Sequence, residues 1–519
     1  MFVLIGDIPR RNSKLYPDKV AIIDGDVQMT YFYFNQRINS LANAVLSSGL
    51  RKGNRIAVLF KNGFQYLELY FAAAKAGTPI VPINFRVAEQ ELLEILLDSD
   101  PEILFFGEEF YPLVLNIKHK AVKIKQYICI EKSIQSTASY EDFIRNSPTT
   151  EPNILVNEDD IAILGYTGGT TGLPKGVMTT HRNVVTNCFQ TALDMKFHSG
   201  HRFLCVSPLF HAGGSTGFLR FSLVGGSNVI VNSSNPTQIL RYIEEYNVTH
   251  TLLVPALILR FLQMPEIHDY NLSSLECIMY GTAPMPLEPL KKALNTFNCD
   301  FAQVYGSTET FTAISLLLQS DHVRNGSEKE IERMKSAGRQ VCGVEIKISD
   351  EHGKEVQVNE TGEILVKGKN VMKGYWRRPE LTSNVLRDGW YHTGDIGKMD
   401  ELGYVYIVDR KKDMIISGGE NIYPREVENV LFTHPAVTDC AVIGIPDESW
   451  GESVKALVVL KEGIDLTKGD LINYCKKHLA SYKKPRSIEF VSTLNRTATG
   501  KIQKNKIRDQ YWKGNPNKV

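Results

Sequence analysis

The sequence predicts an α/β protein, and three observations carry that expectation. Short apolar runs alternate with amphipathic stretches through most of the first 310 residues, a pattern that builds layered α/β sheets. Between residues 343 and 368 the pattern changes to strand, turn, strand, with Asp350 to Gly353 and Glu360 to Gly362 as turns, as expected of a small β-barrel or meander. The chain, at 519 residues, exceeds what one compact core supports and implies two to four units.

The elements follow in order. Runs at 55–60, 80–83, 103–106, 229–231, 251–254 and 277–280 are short, apolar and rich in Ile, Val, Leu and Phe, and predict buried strands. Amphipathic stretches at 66–76, 89–97, 238–246 and 286–297 predict helices, several with Glu near the start. The runs 161–166 and 177–180 predict two further strands. After the strand-like 404–408 comes the charged Asp409-Arg-Lys-Lys-Asp413, then Met414 to Gly419 and a new helix opening at Pro424 or Arg425. A domain boundary is expected there. No internal repeat or low-complexity segment interrupts the pattern.

Composition excludes several function classes. With 43% hydrophobic and 23% charged residues the chain is globular, and a formal charge of +1 argues against general binding to nucleic acid or membrane surfaces. From Lys476 onward, however, Glu489 and Asp509 are the only acids among many lysines and arginines. By itself such a tail suits RNA or acidic lipid; beside a phosphate-binding loop it suits a lid over polyanions. The eight cysteines are scattered without CxxC or zinc-ligand spacing, as expected of reduced thiols in a cytoplasmic protein. Residues 1–8 are apolar but lack a basic flank, and no run approaches the roughly 20 residues that span a bilayer.

The most informative motif is Thr167-Gly-Gly-Thr-Thr-Gly-Leu-Pro-Lys-Gly176, set between the two strands at 161–166 and 177–180. Gly168, Gly169, Gly172 and Gly176 let successive backbone N–H groups turn toward one point. Thr167, Thr170 and Thr171 add hydroxyl donors, and Lys175 adds positive charge. That is chemistry for phosphate oxygens. The loop lacks the Gly-Lys-Ser/Thr closure of a Walker A motif and is not a GxGxxG turn.

This loop resembles the phosphate loop of the adenylate-forming superfamily, which includes acyl-CoA synthetases, luciferases and peptide-synthetase adenylation domains. The usual second residue is Ser, and Gly168 here removes one hydroxyl. The resemblance runs on in series from YLELYFAAAKAGTPIVPIN near residue 66 to NRTATGKIQK ending at Lys504. It implies a large AMP-binding domain, 1–409, of two α/β subdomains and a β-barrel; a hinge at 410–413 with Lys412 as pivot; and an α+β lid, 414–519.

The implied reaction joins a carboxylate to AMP with loss of pyrophosphate, then moves the acyl group to coenzyme A, using ATP and Mg2+. Lys501 takes the place of the adenylation lysine. In Tyr305-Gly-Ser-Thr308-Glu309, Tyr305 offers a flat face to adenine, Thr308 a hydroxyl to the α-phosphate and Glu309 a hard oxygen to Mg2+. Asp395 would accept from the ribose hydroxyls with Arg410 nearby, and Gly281, Thr282 and Ala283 would border the adenine. His211 is expected as a gate residue, with a packed structural His as the competing reading. The acyl pocket is expected at His211, Gly213, Gly214, Phe218, Val304 and Ile314, where Gly213 and Gly214 would leave room for a long or bulky acid. Gly418, Gly419, Trp450 and Lys484 would meet CoA.

A fatty acid is the expected substrate, with an aryl or alicyclic carboxylate as the alternative. A carrier-protein-loading enzyme is disfavoured because the chain runs only 18 residues past Lys501. Expected partners are the acid, ATP and CoA, with no nucleic acid and a homodimer left open.

Overall fold

A computed structural model describes residues 3–135, 137–167, 174–283, 285–418, 420–497 and 501–512. Each apolar run read as a strand is one, and the four amphipathic stretches are helices.

Two large sheets organise the first 340 residues. In the first, the parallel strands Ile80–Pro82, Arg55–Leu59, Pro101–Phe106 and Gln126–Cys129 lie side by side, and the hairpin of Ile161–Thr167 with Lys175–Thr180 extends the sheet beside Ile80–Pro82. The second runs in the order Thr312–Leu317, Asp300–Ser307, Cys277–Gly281, His250–Leu253, Arg202–Cys205 and Ser227–Ile230, closed at the far edge by Val20–Asp24 and Val27–Thr30. Its central strands are buried on both faces, which is why they read as unbroken apolar runs instead of alternating ones.

Helices cover both sheets. Phe64–Ala76 is buried along almost its whole length and stops at Gly77, whose φ of +68° suits a residue without Cβ. His181–Asp194 starts on a reciprocal cap between Thr180 and Asn183.

The region read as a barrel or meander is a five-stranded antiparallel sheet built from Val344–Ser349, Gly362–Gly368, Leu386–Arg387, Trp390–Met399 and Val405–Arg410. Its inward residues Ile346, Val366 and Tyr391 join one continuous apolar core with both α/β sheets. The last five-stranded sheet, beginning at Ile415–Ser417, has a separate core around Val427, Leu431, Val442, Val454 and Leu471. Between Arg410 and Ile415 lies a single 3-10 turn, Lys411–Asp413. No helix among the described residues is long and apolar enough to cross a membrane.

Candidate functional site

In an open parallel sheet, ligands gather beyond the carboxyl ends of the strands. Here Asp300–Ser307 ends in the segment Tyr305 to Glu309. A register shift follows Tyr305, and a Cβ on Gly306 would lie 1.5 Å from Thr312 O, so only glycine allows the chain to fold back so tightly. The turn Thr308–Thr310 then lifts Thr308 and Glu309 out of the sheet, and Phe311 and Thr312 close it at φ +46° and +80°. Positive φ at a β-branched residue is strained and needs support.

That support comes from behind. The fully buried Arg220 donates from Nη2 to Thr312 Oγ1 at 2.7 Å and to Asn187 Oδ1 at 2.8 Å. Asn187 and Asn370 both donate to Ala313 O, and Asn370 also to Thr310 O. Burial without a carboxylate partner pulls the guanidinium down to about 10.

On the open side, the Tyr305 hydroxyl donates to Asp395 Oδ2 at 2.8 Å, and Arg410 Nε lies 3.1 Å from Asp395 Oδ1. The two latter residues are direct cross-strand partners, so the antiparallel register fixes their meeting. Glu309 Oε1 accepts the Tyr375 hydroxyl at 3.0 Å, and Lys175 Nζ stands 5.7 Å above the Tyr375 ring.

Lys501 belongs to the same group. Its backbone pairs with Thr497, and its ammonium feels Arg410, Asp395, Glu309 and Lys412. Burial and the neighbouring Arg410 cation bring it down to about 8. Lys412 is likewise lowered, chiefly by burial. His211 caps the helix Ala212–Leu223, its Nδ1 accepting from Gly213 N at 3.1 Å, and burial with Lys501 nearby lowers it to about 4. It is neutral at pH 7.

The residues present fit a nucleotide triphosphate. Lys175, Arg410, Lys412 and Lys501 outnumber Asp395, Glu309 and Asp413, leaving surplus positive charge. A Cβ on Gly281 would meet Val304 O at 2.3 Å. After it Thr282 takes φ +68° with a buried Oγ1 that has no partner among the described residues, followed by Ala283. A strained hydroxyl without a partner is ready for a ligand. Glu309, with one oxygen committed to Tyr375, is the hard oxygen that suits Mg2+.

The acyl-pocket expectation needs correction at three positions. Gly214 offers no room, because a Cβ there would lie 2.2 Å from Pro208 O; its glycine lets helix and loop backbones touch. Phe218 is wholly buried, edge-on against Tyr70 and Phe71, and belongs to the interhelical core. Gly213 is closely packed too, its Cβ position lying 3.3 Å from His211 Nδ1 and 3.6 Å from Leu252 Cδ2. One turn on, the Phe203 ring occupies the Cβ position of Gly217 at 2.3 Å. Val304 and Ile314 are buried.

The remaining expected residues lie elsewhere. Trp450 is 45% exposed, packs on Gly418 (φ +62°) and carries the Arg486 guanidinium 4.3 Å from its ring centroid. Lys484 donates to Ser481 O. Gly168, Gly169, Thr170, Thr171, Gly172 and Gly419 lie outside the described residues, while Thr167 ends its strand opposite Lys175. Sequence reasoning missed Tyr375, Arg220, Asn187 and Asn370; only Gly374-Tyr-Trp, a glycine before two aromatics, carried any signal.

Comparison with known proteins agrees with this geometry. The AMP-binding enzyme family model matches residues 9–376, and the AMP-binding enzyme C-terminal domain matches 426–501. A feruloyl-CoA synthase of Amycolatopsis sp is 37% identical over 98% of this chain and 99% of its own. A long-chain-fatty-acid–CoA ligase of Mycobacterium tuberculosis is 34% identical over 98% of both. The crystal structure of an anthranilate CoA ligase in complex with anthranoyl-AMP superposes with a TM-score of 0.90 at 28% identity, covering 98% of this chain and 97% of that one.

Proposed function

This chain belongs to the AMP-binding enzyme family, and from that premise we propose that it activates an aryl carboxylate. It is an AMP-forming acid–thiol ligase that uses ATP, Mg2+ and CoA. The aryl assignment rests on one observation: a feruloyl-CoA synthase is 37% identical over 98% of this chain, above the 34% of the long-chain-fatty-acid–CoA ligase. The anthranilate relative agrees with this choice. The 34% identity to the Mycobacterium tuberculosis enzyme favours a long-chain fatty acid as the second reading.

The residue roles are as follows. Joining carboxylate to ATP brings anion to anion, so the barrier falls where fixed cations face the developing charge. Lys501 and Lys175 supply that charge, and Arg410 and Asp395 hold the ribose. Tyr305 is fixed by its bond to Asp395 and presents its ring to adenine, while Thr308 and the Thr282 hydroxyl face the adenylate. Glu309 would hold Mg2+, which when bound offsets phosphate charge. Neutral His211 walls the carboxylate and, moving aside, admits the thiol. The lid, 414–519, turns about Lys412 to bring Gly418, Trp450 and Lys484 to CoA.

Pyrophosphate release across a panel of acids tests the reading. Aryl propenoates or benzoates should exceed C12 to C16 fatty acids at least tenfold in kcat/KM, with a CoA thioester formed when CoA is added. Preference for the long chains would establish the second reading instead. ADP and phosphate as products would refute both.

A further inference from the structure

At the opposite, amino end of the second sheet, three potential ligands converge. His201 directly precedes Arg202–Cys205, His250 opens His250–Leu253, and Glu276 directly precedes Cys277–Gly281. These strands are parallel neighbours, aligned Phe203 with His250 and His250 with Cys277, so the three residues enter the sheet at one level. One donor atom from each lies within 4.8 Å of the others. We propose that His201, His250 and Glu276 form a binding site for a single Zn2+ ion, remote from the adenylation chemistry.

The His201 Nε2 to Glu276 Oε2 distance is 3.3 Å. That is the edge of a tetrahedron whose metal bonds are about 2.0–2.1 Å long. The two imidazole rings lie 4.3 Å apart, both buried, whereas Glu276 is exposed and free to swing onto an ion arriving from solvent. His250 is already oriented. Its Nδ1 lies 2.8 Å from Thr249 Oγ1, and since that hydroxyl donates to Arg202 O, Nδ1 must be the donor and Nε2 keeps its lone pair. An outer hydrogen bond of this kind fixes the tautomer of a ligating histidine. Exposed His198, whose ring centroid is 3.6 Å from that of His201, is placed to supply a fourth ligand after a small turn of its loop. Two imidazoles with one carboxylate select zinc over magnesium or calcium.

Two features oppose binding. Ligation through Nε2 obliges His201 Nδ1 to carry the proton, so the His198 N–H now 3.3 Å away must turn aside. Lys19, tied to Ser199 O and Gly225 O, adds a nearby cation. Bound zinc would pin the amino ends of three adjacent strands together.

Zinc titration of the chelator-stripped full chain, by competition against a chromophoric chelator and by thermal unfolding, decides the matter. One saturable equivalent and a raised Tm are expected, and Co2+ in its place should give tetrahedral visible bands. Glu276→Gln, an exposed substitution that leaves the fold intact, should weaken binding at least tenfold, as should His250→Asn. His434→Asn, on the lid, should change nothing. Absence of a saturable equivalent, or full binding retained in Glu276→Gln, would overturn the proposal.

Discussion

The Tyr305 hydroxyl reaches Asp395 over 2.8 Å of space and 90 residues of chain, joining the end of a sheet strand to the antiparallel domain. Burial, and then the carboxylate beside it, raise the Tyr305 phenol well above its usual range, so it stays a donor at every physiological pH. Asp395→Asn should therefore leave Tyr305 poorly oriented and Arg410 without its counter-charge. Breaking a buried ion pair costs about 3–5 kcal/mol. Arg410 is 48% exposed, however, so the stability loss should stay near the ~1 kcal/mol of a solvent-screened pair. The KM for ATP should rise at least tenfold while the KM for the acid moves little; equal effects on both would contradict the assignment.

With its proton held to about 8, Lys501 in the proposed role should make adenylation sensitive to pH. The ammonium is present below that value and lost above it, so kcat/KM for ATP should fall as pH rises through about 8. Lys501→Arg should abolish that limb, because guanidinium keeps its charge. Lys501→Ala should slow adenylation about 10²-fold or more while sparing thioester formation from supplied acyl-adenylate. Single-turnover measurement of each step checks both.

Phe203→Ala should cost about 3–5 kcal/mol of stability by removing a buried ring that abuts Gly217 and stacks on Phe221. Gly214→Ala should lower Tm and activity toward every acid alike, since its Cβ would strike the Pro208 carbonyl. Thermal unfolding of both variants, with kcat/KM across a panel of acids, checks both.

Arg220 supports the strained Thr312, and through it the turn that carries Glu309. Nη2 alone bonds both Thr312 and Asn187, and the shorter lysine stem ends short of that position. Arg220→Lys should therefore raise the Mg2+ concentration needed for half-maximal adenylation several-fold with little change in the KM for the acid. A variant that merely lowers Tm, with an unchanged Mg2+ profile, would make Arg220 a core residue and no more.

Much of this molecule was legible in its residues. Runs such as 277–280 are apolar on both faces because the strand is buried on both faces, and periodicity reports that directly. Tyr305, Glu309, Asp395 and Lys501 could be picked out because they stand in a series of motifs, and the fold brings them together. Gly214 was misread since a glycine in sequence cannot tell empty space from an abutting carbonyl. Phe218 was misread because its partners, Tyr70 and Phe71, lie on a helix some 150 residues earlier. Arg220 and Tyr375 were invisible for the same reason: their contacts to Thr312 and Glu309 follow no local period.

The crowding of Arg410, Lys412 and Lys501 has a temporal meaning. Three cations in one cleft repel one another, and the depressed proton affinity of Lys501 reflects that repulsion along with its burial. Polar contacts among the described residues at this junction include the Arg425 N–H donating to Asp409 Oδ2 at 2.8 Å and Arg508 Nη1 to Lys412 O at 3.3 Å. If residues 414–519 turn as proposed, the anion bound beneath them would set which orientation prevails. Triphosphate would then hold the lid shut, and departing pyrophosphate would take most of that charge away and let the cations push the lid off. Release of the first product would become the clock for the second half-reaction, and added pyrophosphate should delay thioester formation even where the acyl-adenylate is already made.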